Sequence, residues 1–186
     1  MSRPLVLVDM DGVVADLEGA FLAIWRQRHP DRPWIDLEAR RGFYLAEQYG
    51  DEHKEAIWEI FSEAGFYGGL PEIPGAIAAV EEMDAAGLDV RFCTSPYHHP
   101  VPCVAEKYTW VGDRLGFDWL ARVIIVKDKT LVTGDVLIDD RPDITGARTP
   151  AWTHVVFDAA YNRHVYRPRL NAWAQWEATL GPLLGL

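Results

Sequence analysis

The sequence predicts an α/β fold, in which a Rossmann-like parallel sheet with strand order 3-2-1-4-5 is flanked by helices. Two features indicate this fold. Short apolar segments of strand length alternate with helical patterns over most of the 186 residues, as in repeated βαβ units. Several of these segments lead directly into acidic or hydroxyl-bearing residues, as strands do at the ligand-binding edge of an open α/β sheet.

The predicted strands are short apolar runs bounded by charged or turn-forming residues. The first runs from Leu5 to Val8, and Gly12 lets the backbone turn after it. The other four are residues 89–93, 122–126, 135–138 and 154–157. Because helical patterns alternate with these runs, we expect the strands to be parallel.

Helices are predicted from apolar spacing and from the residues that end them. Four apolar residues at i, i+4, i+7 and i+8 form one face of a first helix, which the segment 29–33 ends. A second helix runs to Gly87 and a third to Gly116, since glycine is common where helices end. The apolar face of the first helix is formed by Leu17, Phe21, Ile24 and Trp25. Near the end of the chain, Trp173 and Trp176 are three residues apart and predict helix packing.

A small helical cap is predicted after the first strand, in residues 17–72. This segment contains no predicted strand, and residues 36–66 are expected to be helical with several aromatic side chains. The core would then consist of residues 1–16 and 73–186. A segment inserted at this point could cover a ligand at the carboxyl end of the first strand.

The composition argues against several classes of protein. The formal net charge is −10 and the pI is about 5.0, whereas proteins that bind nucleic-acid polymers or membrane surfaces are usually basic. No apolar run approaches the length of a membrane span. Cys93 and Cys103 lack metal-ligand spacing, and Cys93, at the end of a strand, is expected to be buried. With no disulfide framework and no signal peptide, we expect a cytoplasmic protein.

Two pairs of acids follow predicted strands. Asp9 and Asp11 follow the first strand, and Asp139 and Asp140 follow the fourth. Either pair alone fits a solvated turn or a helix N-cap. Adjacent carboxylates at a strand end repel each other, however, unless a cation offsets them. Carboxylate and carbonyl oxygens suit Mg²⁺, so the sequence predicts that Asp9, a carbonyl of the turn and the second pair bind this ion.

Phosphate-binding groups are predicted at two other strand ends. Thr94 and Ser95 follow the second strand, and Lys129 follows the third. The two hydroxyls and the amides after them could hold phosphate oxygens, although an N-cap and a solvated lysine are the alternatives. The neighbouring pair His98-His99 is expected in an exposed loop, because adjacent residues rarely share one ligand. Together with the acids, these groups suit Mg²⁺-dependent phosphoryl transfer.

The aromatic residues of the predicted cap leave two interpretations open. Phe43, Tyr44 and Tyr49 could all belong to the core. Trp58 lies about 100° away from the apolar stripe of its helix. Its indole could pack partly against the core or offer a stacking surface for a flat base.

The longer motifs resemble the haloacid dehalogenase superfamily of phosphohydrolases, and more closely its 5'(3')-deoxyribonucleotidases. The superfamily motifs are Asp9-Met10-Asp11-Gly12-Val13, Cys93-Thr94-Ser95-Pro96, Lys129 and Leu137-Ile138-Asp139-Asp140. The closer likeness lies in residues 40–43, 47–49, 71–76, 106–108, 110–111, 128–130, 138–146 and 162–164. The resemblance covers nearly the whole chain, and the combination of motifs is specific.

The resemblance implies roles for the acidic residues. Asp9 would be the nucleophile that becomes a phospho-aspartate. Asp11 would protonate the leaving nucleoside oxygen and then activate the hydrolytic water. The carboxylates of Asp9 and Asp140, with the backbone carbonyl of Asp11, would bind Mg²⁺. Asp139 and Arg141 would support the metal from outside its ligand shell.

The resemblance also implies a binding site for a small-molecule nucleotide. Thr94, Ser95 and Lys129 would hold the phosphate. An apolar pocket under the cap would hold the nucleoside, lined by Phe43, Tyr44, Leu45 and Trp58. The expected reaction is the hydrolysis of deoxyribonucleoside monophosphates such as dUMP or dTMP to a deoxyribonucleoside and phosphate. No nucleic-acid polymer or membrane is expected as a partner. A homodimer is one possible oligomeric state.

Three other functions remain as alternatives. A related phosphatase could act on another small ester, such as a sugar phosphate. A phospho-accepting signalling domain also has acids, a hydroxyl and a lysine at strand ends, but it has no use for an aromatic cap. A nucleotide-binding protein without turnover would not need both Asp9 and Asp11.

The sequence differs from its relatives at positions that are expected to lie near the nucleobase of the substrate. Leu17 stands where they carry an aromatic residue, and Tyr44 stands at a position that varies among them. Residues 97–102, Tyr-His-His-Pro-Val-Pro, are also unlike the corresponding loop of the relatives. These departures concern the preferred base more than the chemistry.

Overall fold

Six strands form one parallel sheet within residues 3–97 and 102–186, which the computed structural model describes. In chain order they are β1 (Leu5–Val8), β2 (Asp89–Thr94), β3 (Val123–Ile125), β4 (Val136–Asp139), β5 (Thr153–Phe157) and β6 (Arg169–Leu170). Their order across the sheet is β3-β2-β1-β4-β5-β6, and every pair is parallel. The predicted order 3-2-1-4-5 is therefore confirmed, and a sixth strand extends it.

The centre of the sheet is buried on both faces. Val6 of β1 pairs with Val90 of β2 on one side and with Val136 of β4 on the other. All three side chains are fully buried. Strands buried on both faces consist of continuous apolar residues, which is why these strands could be predicted. Strand β6 was not predicted, because it has two residues and begins with Arg169.

The described part of the chain contains five α-helices. They are α1 (Leu17–Arg28), α2 (Lys54–Ser62), α3 (Ala76–Ala85), α4 (Cys103–Leu115) and α5 (Trp176–Leu184). Asp16 caps α1, since its carboxylate accepts a hydrogen bond from the Gly19 N–H at 2.9 Å. Phe21 and Trp25 of the predicted apolar face are buried. Gly116 follows α4 with a φ of 90°, a conformation that favours glycine.

The segment between β1 and α3 is less helical than predicted. The expectation of helix throughout residues 36–66 is wrong, because the only α-helix there is α2. Gly50, with a φ of 88°, interrupts any helix at that point. The remaining regular structure consists of the short 3₁₀ turns Leu37–Ala39, Leu45–Gln48 and Asp51–His53.

Both ends of this segment are attached beside the end of β1. The Asp16 N–H donates to the Pro71 carbonyl, and the Ile73 N–H donates to the Val14 carbonyl, both at 2.8 Å. The carboxylate of Glu106 on α4 accepts the backbone N–H groups of Gly65, Tyr67 and Gly68. These bonds hold the segment over the carboxyl edge of the sheet.

The remaining sequence predictions concern individual residues. Trp173 and Trp176 pack as predicted, with 1% and 8% of their surfaces exposed. Cys93 and Cys103 are free, and both are buried. None of the helices in residues 3–97 and 102–186 is long and apolar enough to cross a membrane. The expectation of an exposed loop at His98-His99 lies outside the described residues.

Candidate active site

The predicted catalytic groups meet at the carboxyl edge of the sheet. Asp9 directly follows β1, Thr94 ends β2, and Asp139 ends β4. They line a cavity of about 490 Å³, together with Asp11 and Lys129. Because β1 pairs with both β2 and β4, residues far apart in sequence come together here.

Gly12 allows the loop after β1 to approach the acids of β4. Its φ is 76°, and a Cβ at this position would overlap the carboxylate of Asp140. The loop is closed by hydrogen bonds from the N–H groups of Val14 and Ala15 to the carbonyl of Met10, both 2.9 Å long. Glycine is therefore required both for the turn and for the close contact.

Lys129 joins Asp9 to Asp139. Its ammonium nitrogen lies 2.7 Å from Asp9 Oδ1 and 2.6 Å from Asp139 Oδ2. Although burial favours the neutral amine, the negative charges of Asp139 and Asp9 raise the pKa of Lys129, so it stays protonated. The other oxygen of Asp139 accepts the backbone N–H of Arg141 at 2.8 Å. Both oxygens of Asp139 are therefore engaged by protein groups.

Three acids form a cluster suited to a metal ion. One oxygen from each of Asp9, Asp139 and Asp140 lies within 4.8 Å of the others. Asp140 Oδ1 is buried and has no hydrogen-bond partner among the described residues. Burial, followed by the charges of Asp139 and Asp9, raises the pKa of Asp140 well above its ordinary value. A buried, unpartnered carboxylate oxygen among like charges fits a divalent cation with oxygen ligands.

Tyr161 holds the second oxygen of Asp140. Its hydroxyl donates to Asp140 Oδ2, and the Asn162 side chain donates to the Asp140 carbonyl at 2.7 Å. These bonds fix the carboxylate with Oδ1 left free. The sequence motif that includes Asn162 was recognised, but no pattern indicated Tyr161, which lies in a short 3₁₀ turn (Ala160–Asn162) after β5.

Lys107 is a site residue whose role was not predicted from the sequence. It is 1% exposed, and its ammonium nitrogen lies 2.7 Å from both Asp11 Oδ2 and Thr94 Oγ1. The available signal was its spacing on α4. Lys107 stands at the i+4 position of a buried stripe with Cys103, Trp110 and Val111. A lysine in an apolar stripe needs a buried anionic or polar partner.

Asp11 faces the cavity from the same turn. Burial raises the pKa of the Asp11 carboxyl, and the charge of Asp9 adds to this effect, although Lys107 opposes it. Its Oδ1 has no hydrogen-bond partner among the described residues. One oxygen is thus held by Lys107, while the other is available to a ligand. The predicted use of the Asp11 backbone carbonyl as a metal ligand stays a prediction.

Most of the predicted nucleoside-pocket residues line the cavity. Phe43, Tyr44 and Leu45 do so, as does Leu17. Trp58 does not line it; its ring stacks on Tyr97, with centroids 5.1 Å apart and planes 29° apart. Tyr97 lines the cavity in its place.

Two further predicted residues have protein partners in the site. Ser95 Oγ donates to the Val126 carbonyl at 3.0 Å, so its hydroxyl hydrogen is already used, and a phosphate contact would fall to its amide. The guanidinium of Arg141 lies 5.3 Å from the centre of the Phe43 ring and donates to the Tyr44 hydroxyl at 3.0 Å. Arg141 therefore lies at the cavity wall as well as beside Asp139.

The family of the chain follows from its sequence as a whole. The sequence model of the 5' nucleotidase, deoxy (pyrimidine), cytosolic type C family matches residues 3–181. The chain belongs to this family. The matched range contains all the residues described above around the cavity.

Two relatives of this nucleotidase-family chain are similar over most of their length. A Bordetella pertussis protein, named as a candidate 5'(3')-deoxyribonucleotidase, is 49% identical over 95% of each chain. The human mitochondrial 5'(3')-deoxyribonucleotidase is 48% identical over 94% of this chain and 81% of its own.

A solved structure confirms the haloacid dehalogenase-like fold. A candidate HAD hydrolase of Bacillus subtilis, YfnB, bound to magnesium, matches all of both chains with a TM-score of 0.57 and 11% identity. At this identity the likeness concerns the fold. The chain therefore has an α/β fold of the kind predicted from the strand pattern.

Proposed function

We propose that the protein hydrolyses deoxyribonucleoside monophosphates in a Mg²⁺-dependent reaction. The observation that carries the proposal is the position of Asp9 and Asp11. Asp9 is paired with Lys129 and Asp11 with Lys107, and both acids line one cavity that aromatic and aliphatic side chains also line. Two carboxylates with different partners suit the two roles of nucleophile and general acid.

The first half of the proposed reaction transfers the phosphoryl group to the protein. An oxygen of Asp9 attacks phosphorus, and a new phosphorus–oxygen bond forms as the bond to the nucleoside oxygen breaks. Asp11 gives that oxygen the proton that it needs to leave. In the second half, a water oxygen attacks the phospho-aspartate, Asp11 accepts the proton of the water, and Asp9 is released with inorganic phosphate.

The cations of the site reduce the repulsion between an anionic nucleophile and an anionic substrate. Four carboxylates (Asp9, Asp11, Asp139 and Asp140) face two ammonium groups (Lys107 and Lys129), so fully ionised acids leave an excess of two negative charges. Mg²⁺ held by Asp9, Asp140 and the Asp11 carbonyl would offset this charge and polarise the phosphate. Thr94 and Lys129 would grip the phosphate oxygens.

The residues between β1 and α3 are proposed to act as the cap of this site. Residues 17–72 would be the cap, over a core of 1–16 and 73–186. Leu17, Phe43, Tyr44 and Leu45 of the cap line the cavity. Such a lid would exclude water during phosphoryl transfer and contact the nucleoside.

A preference for deoxyribose is proposed from the apolar wall. A ribose 2'-hydroxyl buried there would lose water without gaining a partner, which costs roughly 1–3 kcal/mol. This cost corresponds to about 5- to 150-fold discrimination. We expect kcat/KM to be higher for dUMP or dTMP than for UMP, and lower for purine than for pyrimidine nucleotides.

The test is a phosphate-release screen with Mg²⁺. The substrates are dUMP, dTMP, UMP, dAMP, dGMP and deoxyribose 5-phosphate, which keeps the sugar and phosphate but lacks a base. The expected order places dUMP and dTMP first. Equal kcat/KM for deoxyribose 5-phosphate and dUMP would instead favour a general sugar-phosphate phosphatase.

A further inference from the structure

Tyr97 stands at the junction of the phosphate-binding loop and the aromatic wall. It is three residues after Thr94, which is buried at the end of β2. Its own side chain is 36% exposed and lines the same cavity as Asp9 and Phe43. Tyr97 therefore lies close in sequence to the proposed phosphate-binding residues and in the same cavity as the aromatic residues of the cap.

The Tyr97 ring is supported from the side of the cap. Trp58 stacks on it at 5.1 Å, and Phe61 contacts it in a tilted arrangement at 5.7 Å. Since Trp58 does not line the cavity and Tyr97 does, the tryptophan backs the tyrosine. Stacking on one face holds the ring in place, and the exposed part of Tyr97 remains open to a flat ligand.

The residues that line the cavity beside the cap differ in the surface they could offer to a base. Leu17 lines the cavity with an aliphatic side chain, which has no flat face. Tyr97 lines the same cavity from the loop after β2 and has one.

We infer that Tyr97 is a specificity-determining residue whose ring stacks on the nucleobase, and that Trp58 is a positioning residue that acts through it. This inference rests on the proposed function. Stacking of a base on an aromatic side chain is sequence-tolerant, because every base has a π face. Tyr97 should therefore favour substrates with a base over the same ester without one.

The test compares Tyr97→Leu with wild type on dUMP and on deoxyribose 5-phosphate. We expect kcat/KM for dUMP to fall roughly 5- to 150-fold, mainly through KM, while the value for deoxyribose 5-phosphate changes less than about twofold. Tyr97→Phe keeps the ring and should behave like wild type. Tyr108→Leu is the matched control, because Tyr108 is 37% exposed and lies away from the cavity on α4.

A double-mutant cycle tests the part of Trp58. Trp58→Ala should lower kcat/KM for dUMP in wild type but add little to Tyr97→Leu, since its effect passes through the tyrosine. Fully additive losses would overturn the positioning role. Calorimetry can measure dUMP binding without turnover in the Asp9→Asn background. There, the Asp9→Asn/Tyr97→Leu double variant should bind dUMP more weakly than Asp9→Asn alone.

The outcomes separate this inference from the proposed function. If wild type hydrolyses dUMP and Tyr97→Leu does so equally well, or loses as much on deoxyribose 5-phosphate, the stacking role of Tyr97 is overturned and the nucleotidase activity stands. If wild type releases no phosphate from any nucleotide, the proposed function is wrong, and the inference falls with it.

Discussion

Lys107 reaches Asp11 from the buried face of α4, with 2.7 Å between its ammonium nitrogen and Asp11 Oδ2. The same ammonium group is 2.7 Å from Thr94 Oγ1. Because an ammonium group can only donate, the Thr94 oxygen must accept, and its own O–H is left to reach a phosphate oxygen. Lys107 thus orients both the proposed general acid and a proposed phosphate ligand.

Replacing Lys107 by methionine should impair turnover without unfolding the protein. The side chain keeps its approximate volume but loses both polar contacts, and hydrogen bonds to charged groups contribute about 1.5–3 kcal/mol. We expect kcat for dUMP to fall roughly 10- to 150-fold. Steady-state kinetics measure the loss, and thermal melting checks the fold.

Lys54→Met is the matched control for this change. The Lys54 side chain is 53% exposed and pairs with Asp51 at the surface, so its loss should leave kcat unchanged. A folded Lys107→Met variant with the wild-type kcat would show that Lys107 does not orient Asp11 for the reaction.

Asp11→Asn should harm substrates with poor leaving groups most. A nucleoside oxygen needs a proton as it leaves, whereas an activated aryl phosphate needs little help. General acid–base catalysis raises rates roughly 10²- to 10⁴-fold. We therefore expect kcat to fall by this factor on dUMP and by a much smaller factor on p-nitrophenyl phosphate. Equal losses on both esters would mean that Asp11 acts through geometry or the metal instead.

Removal of divalent metal should silence the enzyme and lower its melting temperature. Asp140 Oδ1 is buried without a partner among the described residues, so a bound cation would stabilise the folded state as well as support the reaction. EDTA should abolish phosphate release, and excess Mg²⁺ should restore it. Mg²⁺ should also raise the melting temperature of wild type but not of Asp140→Asn. Full activity after thorough chelation would contradict the metal site.

His154 should make stability fall at mildly acidic pH. Burial lowers its pKa to about 4, from an ordinary value near 6.5, so the unfolded chain binds a proton that the folded protein excludes. The free energy of unfolding that is linked to this shift is fully present above pH ~6.5 and is lost as the pH falls toward 4. The loss is about 1.4 kcal/mol at pH ~5.5.

The measurement for His154 is urea unfolding of wild type and His154→Gln at several pH values. Glutamine does not titrate, so the stability of wild type relative to the variant should fall between neutral pH and pH ~5.5. A stability difference independent of pH would mean that His154 has the same pKa in both states.

The sheet and its acids could be predicted because they depend on local patterns. Val6 and Val136 belong to continuous apolar runs, and Asp9 and Asp139 stand at the ends of those runs. Parallel strands bring their carboxyl ends to one edge, so a one-dimensional pattern was enough to place these acids together.

Other parts of the site depend on partners that are distant in sequence, and no local pattern identifies those partners. Lys107 is 96 residues from Asp11 and Tyr161 is 21 from Asp140, and each contact follows from the packing of whole elements. The segment around Gly50 has helix-forming residues on both sides, but a positive φ breaks it. Trp58 was placed correctly on the flank of its helix, yet its partner Tyr97 comes from the loop after β2.

The most direct measurement is phosphate release from dUMP by wild type and by Asp9→Asn, with saturating Mg²⁺. The substitution removes the negatively charged oxygen that would attack phosphorus. Because it keeps the size of the side chain, thermal melting should show a folded protein. If Asp9 is the nucleophile, the variant should release no measurable phosphate while wild type turns over. Turnover near the wild-type value in a folded Asp9→Asn protein would contradict a phospho-aspartate mechanism.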